Sequence, residues 1–166
     1  KGMHLTALQM DELMVKDQRP PTPSEPMASL TLPIAISLPF AVGKFELSGN
    51  TVLSLSNIGG HYQYGAQITE SPGSASNTSV NTTTHQLRLD SLQLADGRYK
   101  AQLTLEGQAP MPLNLDLQGD VSTQIPDGPL VVLTAQAQAR GTLAGPAATL
   151  EVTALAEGTP QTSGAE

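Results

Sequence analysis

The sequence contains no cysteine and no tryptophan, and aromatic residues make up only 3% of it. Without thiols, neither disulfides nor thiolate chemistry can contribute. So few aromatic rings weigh against sugar-stacking sites and base-stacking platforms. Charged residues are also scarce, at 14%, and the net charge of −7 argues against nucleic-acid binding, which needs basic patches. It does not argue against a lipid ligand, because acyl chains respond to apolar area rather than to charge.

Long apolar runs are absent as well. No stretch approaches the roughly 18 apolar residues that a membrane-spanning helix needs, and no signal peptide follows Lys1. The chain starts without Met, so we expect it to be a segment of a longer protein, with any anchor or targeting signal elsewhere. Its 166 residues are most simply one domain.

Catalytic and metal-binding patterns are missing too. The three histidines lie far apart, outside any metal-ligand spacing, and no nucleophile elbow or phosphate-binding loop occurs. Carboxylates that could form acidic pairs all occupy polar-facing or turn positions: Asp90, Asp96, Asp116 and Asp120. Solvated charges are the ordinary explanation there, so we expect no enzyme activity, no metal site and no cofactor.

The most informative feature is a regular alternation of apolar and polar residues over residues 85–121. Leucines alternate with polar neighbours on both sides of the Asp96-Gly97 turn, and the phase changes between Leu89 and Leu92. The alternating apolar positions are Leu87, Leu89, Leu92, Leu94, Tyr99, Ala101, Leu103, Leu105, Leu113, Leu115 and Leu117. Such a period of two predicts antiparallel strands with one apolar face and one solvated face.

The first 28 residues have a different character. Leu5, Leu8, Met10, Leu13 and Met14 recur at nearly helical spacing, which predicts a short amphipathic helix over residues 5–15. The alternative is a partly ordered end of the preceding region. The proline-rich stretch that follows is typical of an extended linker. We therefore assign residues 1–28 to a helix and linker.

Residues 29–158 are predicted to form the β domain. Residues 29–42 alternate with Ile34, Ile36, Leu38 and Phe40 on the apolar side, but two prolines lie among them, so this strand should be at an edge, bent, or divided near Pro39. The apolar phase then slips, which predicts a bulge or turn over residues 41–44.

The rest of the β domain shows further strands and turns. Gly59-Gly60 is interpreted as a turn between two strands, and residues 71–84 as a polar surface loop. Alternation resumes after Pro126 and continues to Ala154, with alanines replacing leucines, and residues 159–166 are expected to be a disordered tail. These patterns predict an antiparallel meander of eight to ten strands, arranged as a sandwich, a closed barrel or one long curved sheet.

A family resemblance extends this prediction. An isolated N-terminal helix and proline-rich linker precede SLTLPIAISLPFAVGKFELSGN, then HQLRLDSLQLADGRYKAQLTLEGQAPMPLNLDLQGDV, and finally ARGTLAGPAATLEVTALAEG. This order resembles the repeating β region of the TamB branch of the AsmA-like family, translocation and assembly module subunits. The resemblance covers about four-fifths of the chain, over residues 27–158, and lies in patterns of leucine, glycine and proline.

The resemblance implies a location and a role that periodicity does not show. Members of this family are anchored in the inner membrane and span the periplasm of Gram-negative bacteria. Their strands form a curved sheet, a β-taco, whose concave apolar groove is implicated in moving phospholipids to the outer membrane. Members also act in outer-membrane protein assembly with an Omp85-family partner similar to TamA.

On that basis, acyl chains would contact the apolar side of the sheet. The residues expected to line the groove are Ile34, Ile36, Leu38, Phe40, Leu87, Leu89, Tyr99, Leu103, Leu105, Leu113, Leu115 and Leu117. The residues alone favour an ordinary core closed by a second sheet, and the resemblance favours an open groove. Two other functions stay open: binding of outer-membrane proteins by β-augmentation, and a structural β-sandwich of a secreted adhesin.

Overall fold

The computed structural model describes residues 6–18, 29–65, 83–128 and 130–160. Within these ranges every regular element is a β-strand. The strands are β1 (Leu8–Lys16), β2 (Ile36–Ser48), β3 (Leu53–Tyr64), β4 (Thr84–Leu94), β5 (Gly97–Glu106), β6 (Pro112–Gln124), β7 (Leu130–Thr142) and β8 (Leu150–Pro160). The predicted all-β fold is confirmed.

All eight strands belong to one sheet and follow each other in chain order. β2 to β8 form an antiparallel meander, whereas β1 pairs with β2 in parallel, so the sheet is mixed. Each described strand contacts only its neighbours in the sheet. β1 and β8 therefore do not pair, and the sheet is not closed into a barrel. All eight described strands belong to this sheet, so no second sheet of described strands covers either face.

The helix predicted over residues 5–15 is wrong, because Leu8–Lys16 is a strand. Its half-buried side chains are Met10 and Leu13, whose three-residue separation suggested a helix. In the sheet they pair with Val42 and Phe45 of β2, and the alternation of exposed and less exposed side chains shifts by one residue between these two pairs. Helix propensity is a weak preference, and hydrogen bonds to a neighbouring strand override it here.

Proline is accommodated in β2 without dividing it. The strand runs unbroken from Ile36 to Ser48, and β1 begins to pair with it only at Phe40. Pro39 thus lies where β3 is the only described neighbour of β2, so a backbone N–H is not required on the other side. Residues 29–35, which alternation had assigned to the same strand, precede it as a separate segment.

The phase change predicted at residues 41–44 is present, but not as a bulge in a single strand. In β2 the less exposed side chains lie at even-numbered positions as far as Val42, and the next one is at an odd-numbered position, Phe45. The register of β2 with β3 stays constant across this change. Asn57 of β3, which faces the change, has a left-handed φ of 50°. Gly43 is required because a Cβ there would lie 2.6 Å from the carbonyl oxygen of Asp11 in β1. The irregular positions of β1, β2 and β3 therefore lie side by side across the sheet.

A β-bulge in β4 produces the change of phase between Leu89 and Leu92. Leu89 pairs with Ala101 of β5, and the next pair joins Leu92 to Tyr99, so β4 has one residue more than β5 here. The bulge returns the leucines of the end of β4 to the same side of the sheet.

The turn predicted at Gly59-Gly60 is wrong, since both glycines lie inside β3. The register between β3 and β4 shifts at these residues, which oppose Ser91 and Leu89. A Cβ on Gly60 would collide with the carbonyl oxygen of Arg88 and lie 3.1 Å from the Cα of Leu89. The glycines therefore allow two strand backbones to approach each other.

Two predicted irregular segments fall mainly outside the described residues. Most of the polar loop at 71–84 lies there, although Thr84 begins β4. The predicted tail overlaps the end of β8, which extends to Pro160, and its remaining residues are not described.

Candidate functional site

The strand register places the apolar side chains of β2–β8 on one surface, because directly opposed residues point to the same side of a sheet. A central row runs through Leu38, Tyr62, Leu87, Leu103, Leu115, Ala139 and Val152. The flanking rows are Ile36, Tyr64, His85, Leu105, Leu113, Gly141 and Leu150, and Phe40, Gly60, Leu89, Ala101, Leu117, Ala137 and Ala154. We call these three rows the apolar face.

The predicted groove residues map onto this surface with two exceptions. Those of β2, β4 and β6 lie in the three rows, as do Leu103 and Leu105 of β5. Tyr99 lies in the next row, opposite Leu92 and Gly119. Its ring occupies the space above Gly119, where a Cβ would collide with it. Ile34 is not in a strand; it precedes β2 and is 62% exposed.

No described strand covers the apolar face, and its exposure reflects this. Among the residues that the structure describes, no side chain is fully buried, and the leucines of β4–β6 that belong to the three rows are half-buried. Exposure rises at the β8 end, where Leu150 is 51% exposed and Val152 61%. Contiguous exposed apolar residues are a feature of interaction surfaces in many proteins.

The opposite face of the sheet is polar and carries the acidic residues noted in the sequence. Asp116 and Asp120 of β6 lie on it, with Asp120 accepting a hydrogen bond of 2.9 Å from Thr134. A concave space of about 550 Å³ is lined mainly by polar side chains of this side, among them Arg98, Lys100, Gln118, Asp120 and Thr134. Within the described ranges, no group of three or more His, Asp or Glu side chains could hold a metal ion.

A polar cluster interrupts one margin of the apolar face. His85 is only 6% exposed and hydrogen-bonds to two groups: Nδ1 to the hydroxyl of Tyr62 at 2.8 Å, and Nε2 to the carbonyl oxygen of Leu30 at 2.6 Å. A carbonyl can only accept, so Nε2 carries the proton in the neutral ring and Nδ1 accepts from Tyr62. The ring of Tyr64 lies 4.5 Å from that of His85, between centroids.

Sequence reasoning did not identify this cluster as part of the site. His85 shares its parity with Leu87 and Leu89, which places it on the apolar side. That parity was the available signal. The residues that His85 contacts come from β3 and from residues 29–35, and only the folded chain brings them together.

The hydroxyl of Tyr62 should titrate at unusually high pH. Burial raises the pKa of Tyr62 above its ordinary value of 10.0, and the neighbouring Tyr64 raises it further. The neutral hydroxyl is therefore favoured in the folded state, and the resulting stabilisation is present below pH 10 and lost as pH rises through the raised pKa. Tyrosine ionisation can be followed by ultraviolet absorbance during an alkaline titration of the unsubstituted protein and of Tyr62→Phe. We expect the difference between the two curves, which reports Tyr62, to have its midpoint above pH 10. A midpoint at or below that value would contradict the burial of this hydroxyl.

Comparison with known proteins gives no assignment. Neither the models of protein families, nor the curated proteins, nor the solved structures include a match to this chain. Within the described ranges, no helix is long and apolar enough to cross a membrane. The apolar face and the resemblance in the sequence are therefore the two features that bear on function.

Proposed function

We propose that the chain is a segment of a periplasm-spanning lipid-transfer protein, similar to the TamB branch of the AsmA-like family. Its apolar face would be the inner surface of a curved, β-taco-like sheet that carries phospholipid acyl chains between the inner and outer membranes. The observation that supports this most strongly is a largely aliphatic surface that crosses seven strands and is covered by no second sheet of described strands.

The dimensions of the face suit acyl chains. Seven strands at about 4.8 Å spacing give a surface about 29 Å long from β2 to β8. This length is close to the ~30 Å hydrocarbon thickness of a bilayer, which two opposed acyl chains fill. The face therefore has room for at least one chain lying across the strands.

The energetics suit a carrier that must also release its ligand. Each buried methylene contributes about 0.8 kcal/mol, so ten methylenes in contact with the face give on the order of 8 kcal/mol. Association costs about 4–15 kcal/mol in lost motion, which offsets at least half of this gain. Binding without a deep pocket would thus be reversible, and the largely aliphatic rows over β4–β8 would let a chain move from one strand to the next.

The wider context follows from the resemblance. The full-length protein would be anchored in the inner membrane by a region outside this segment, with the segment itself in the periplasm. Other parts of the chain would contact a TamA-like protein of the Omp85 family in the outer membrane and contribute to outer-membrane protein assembly. The segment would have no catalytic role.

A photo-crosslinking side chain on the apolar face tests the lipid proposal. Placed at Leu103 or Leu115 in cells, it should capture phospholipid, because these directly paired residues occupy the central row. The matched positions Thr104 and Asn114 also pair directly but are the next residues along each strand and face the other side. We expect at least a five-fold excess of lipid adducts at the leucines. Equal or absent capture, with the protein folded, would rule out lipid on this face.

Strand addition at β8 is a second candidate function. β8 pairs with β7 over its whole length, and its other edge has no partner among the described strands. Its only charged side chains are Glu151 and Glu157, whereas β1 at the opposite edge carries Asp11, Glu12 and Lys16. Unpaired edges with few charges readily accept a strand. A crosslinker at Leu155 that captured unfolded outer-membrane proteins, while Leu103 captured no lipid, would favour this role.

A further inference from the structure

Residues 29–35, which we call the strap, run along one margin of the apolar face and contact several strands in turn. Ser29 forms an isolated antiparallel bridge with Gln108, just beyond β5. The carbonyl of Leu30 then meets His85 of β4, and the backbone N–H of Leu32 donates to the hydroxyl of Tyr64 in β3 at 2.9 Å. The strap ends where β2 begins. It therefore runs along the margin from β5 to β2.

The strap is held by hydrogen bonds rather than by its own strand pairing. Besides the contacts with His85 and Tyr64, the N–H of Leu30 donates to the carbonyl of Gly107 at 2.7 Å. A Cβ on Gly107 would collide with the Leu30 carbonyl oxygen, so glycine is needed for the strap to lie this close. Ile34 contributes little packing, since it is 62% exposed. A segment with few apolar contacts and a few replaceable hydrogen bonds opens at low cost.

The strap is also longer than its path requires. It crosses three inter-strand spacings and also moves about three residues along the strands, from the level of Gln108 to that of Leu105, a straight distance of about 17 Å. Seven peptide units between Ser29 and Ile36 can reach about 23 Å when extended. This slack allows the strap to move off the margin while its end remains attached to β2.

We propose that the strap is a gate on the apolar face. This inference rests on the proposed lipid-transfer function and adds its regulation. With the strap docked, the margin over β2–β5 is covered. When the hydrogen bonds to His85, Tyr64 and Gly107 break, that margin becomes accessible to an acyl chain entering from the side.

A reversible disulfide between strap and sheet tests this inference. The Leu30-to-Gly107 hydrogen bond makes Ser29 and Gln108 a non-hydrogen-bonded antiparallel pair, whose Cα atoms approach to about 4.5 Å, within disulfide range. The chain has no native cysteine, so Ser29→Cys/Gln108→Cys would form a defined bond. We expect the oxidised form to take up a pyrene-labelled phosphatidylglycerol from vesicles at least five-fold more slowly than the reduced form. The two single-cysteine variants should not respond to oxidant.

The outcomes separate the gate from the lipid proposal. Equal uptake by oxidised and reduced forms would make the strap a fixed wall and overturn the gate. Uptake by neither form, nor by the unsubstituted protein, would overturn lipid binding itself. Cysteines that fail to pair under oxidant would contradict the docked position of the strap.

A pair of tyrosine variants provides a second readout that needs no lipid. Tyr64→Phe keeps the ring but removes the acceptor for the Leu32 N–H, whereas Tyr99→Phe alters a tyrosine one strand beyond His85 that makes no described contact with the strap. Hydrogen–deuterium exchange of residues 29–35 should accelerate at least five-fold in Tyr64→Phe and not in Tyr99→Phe. Unchanged exchange in Tyr64→Phe would show that this bond does not hold the strap.

Discussion

Replacing Gly60 with alanine is expected to lower the free energy of unfolding by at least about 2 kcal/mol, although alanine usually stabilises a strand relative to glycine. The added Cβ would collide with the carbonyl oxygen of Arg88 and approach the Cα of Leu89 to 3.1 Å. Both atoms belong to the backbone of β4, in the interior of the sheet, so no side-chain rotation can relieve the overlap. β3 and β4 would have to separate at the point where their register shifts.

Gly158→Ala is the matched control. Its Cβ would lie 3.0 Å from Cδ2 of Leu133 and 3.6 Å from Cγ1 of Val131, the ends of side chains that can rotate. We expect its stability to remain within about 1 kcal/mol of the unsubstituted protein. Urea unfolding followed by circular dichroism measures both effects, with a lower midpoint at unchanged slope marking a true loss of stability. If Gly60→Ala unfolded at the same midpoint as the control, the close approach of β3 and β4 would be wrong.

The sequence was most informative where the alternation is strict. Over residues 99–105 of β5 and 113–117 of β6 every second residue is apolar. The observed pairing of Leu103 with Leu115 and of Leu105 with Leu113 places those residues on one face as predicted. This succeeds because the side-chain period of a strand is a local geometric property, which the sequence expresses without reference to its neighbours. Where strands are joined by a short turn, as at Ala95-Asp96, the partner strand is predictable as well.

The sequence was misleading where the structure depends on distant partners. The spacing of Met10 and Leu13 matched a helix, but pairing with β2, thirty-two residues away, decided the outcome. Gly59-Gly60 matched a turn, but its role depends on the backbone of β4 across the ladder. A single sequence does not reveal which backbone will approach a glycine.

The strap illustrates the same limit for the candidate site. The alternation of apolar residues assigned residues 29–35 to the same strand as Ile36. Nothing in that pattern indicated that Leu30 would contact His85, fifty-five residues away. Ile34 was placed in the groove by the same parity and instead lies in the strap, outside the three rows. Hydrogen bonds between a loop backbone and side chains of other strands leave no periodic trace in the sequence.

A charge on the apolar face should weaken lipid binding while leaving the sheet folded. Leu103→Glu places a carboxylate in the central row, between Leu87 and Leu115. Contact between an ionised carboxylate and an acyl chain costs several kcal/mol, so we expect phosphatidylglycerol binding to weaken at least ten-fold, equivalent to about 1.4 kcal/mol. Because Leu103 is only half-buried and no described strand covers it, the carboxylate keeps access to water in the unliganded protein. The cost in folding free energy should therefore be only about 1–2 kcal/mol.

Thr104→Glu separates the effect of position from the effect of charge. Thr104 is exposed, adjoins Leu103 in β5, faces the other side, and pairs with the uncharged Gln86 and Asn114. The variant Thr104→Glu therefore adds the same charge to the same strand without touching the proposed lipid surface. Its lipid affinity should stay within two-fold of that of the unsubstituted protein. Titration with pyrene-labelled phosphatidylglycerol, alongside urea unfolding, measures affinity and stability for both variants. If Thr104→Glu lost binding and Leu103→Glu kept it, the ligand would lie on the polar face. If Leu103→Glu instead unfolded the protein as a buried charge does, the apolar face would be a covered core, because only a layer that excludes water makes a half-buried leucine intolerant of charge.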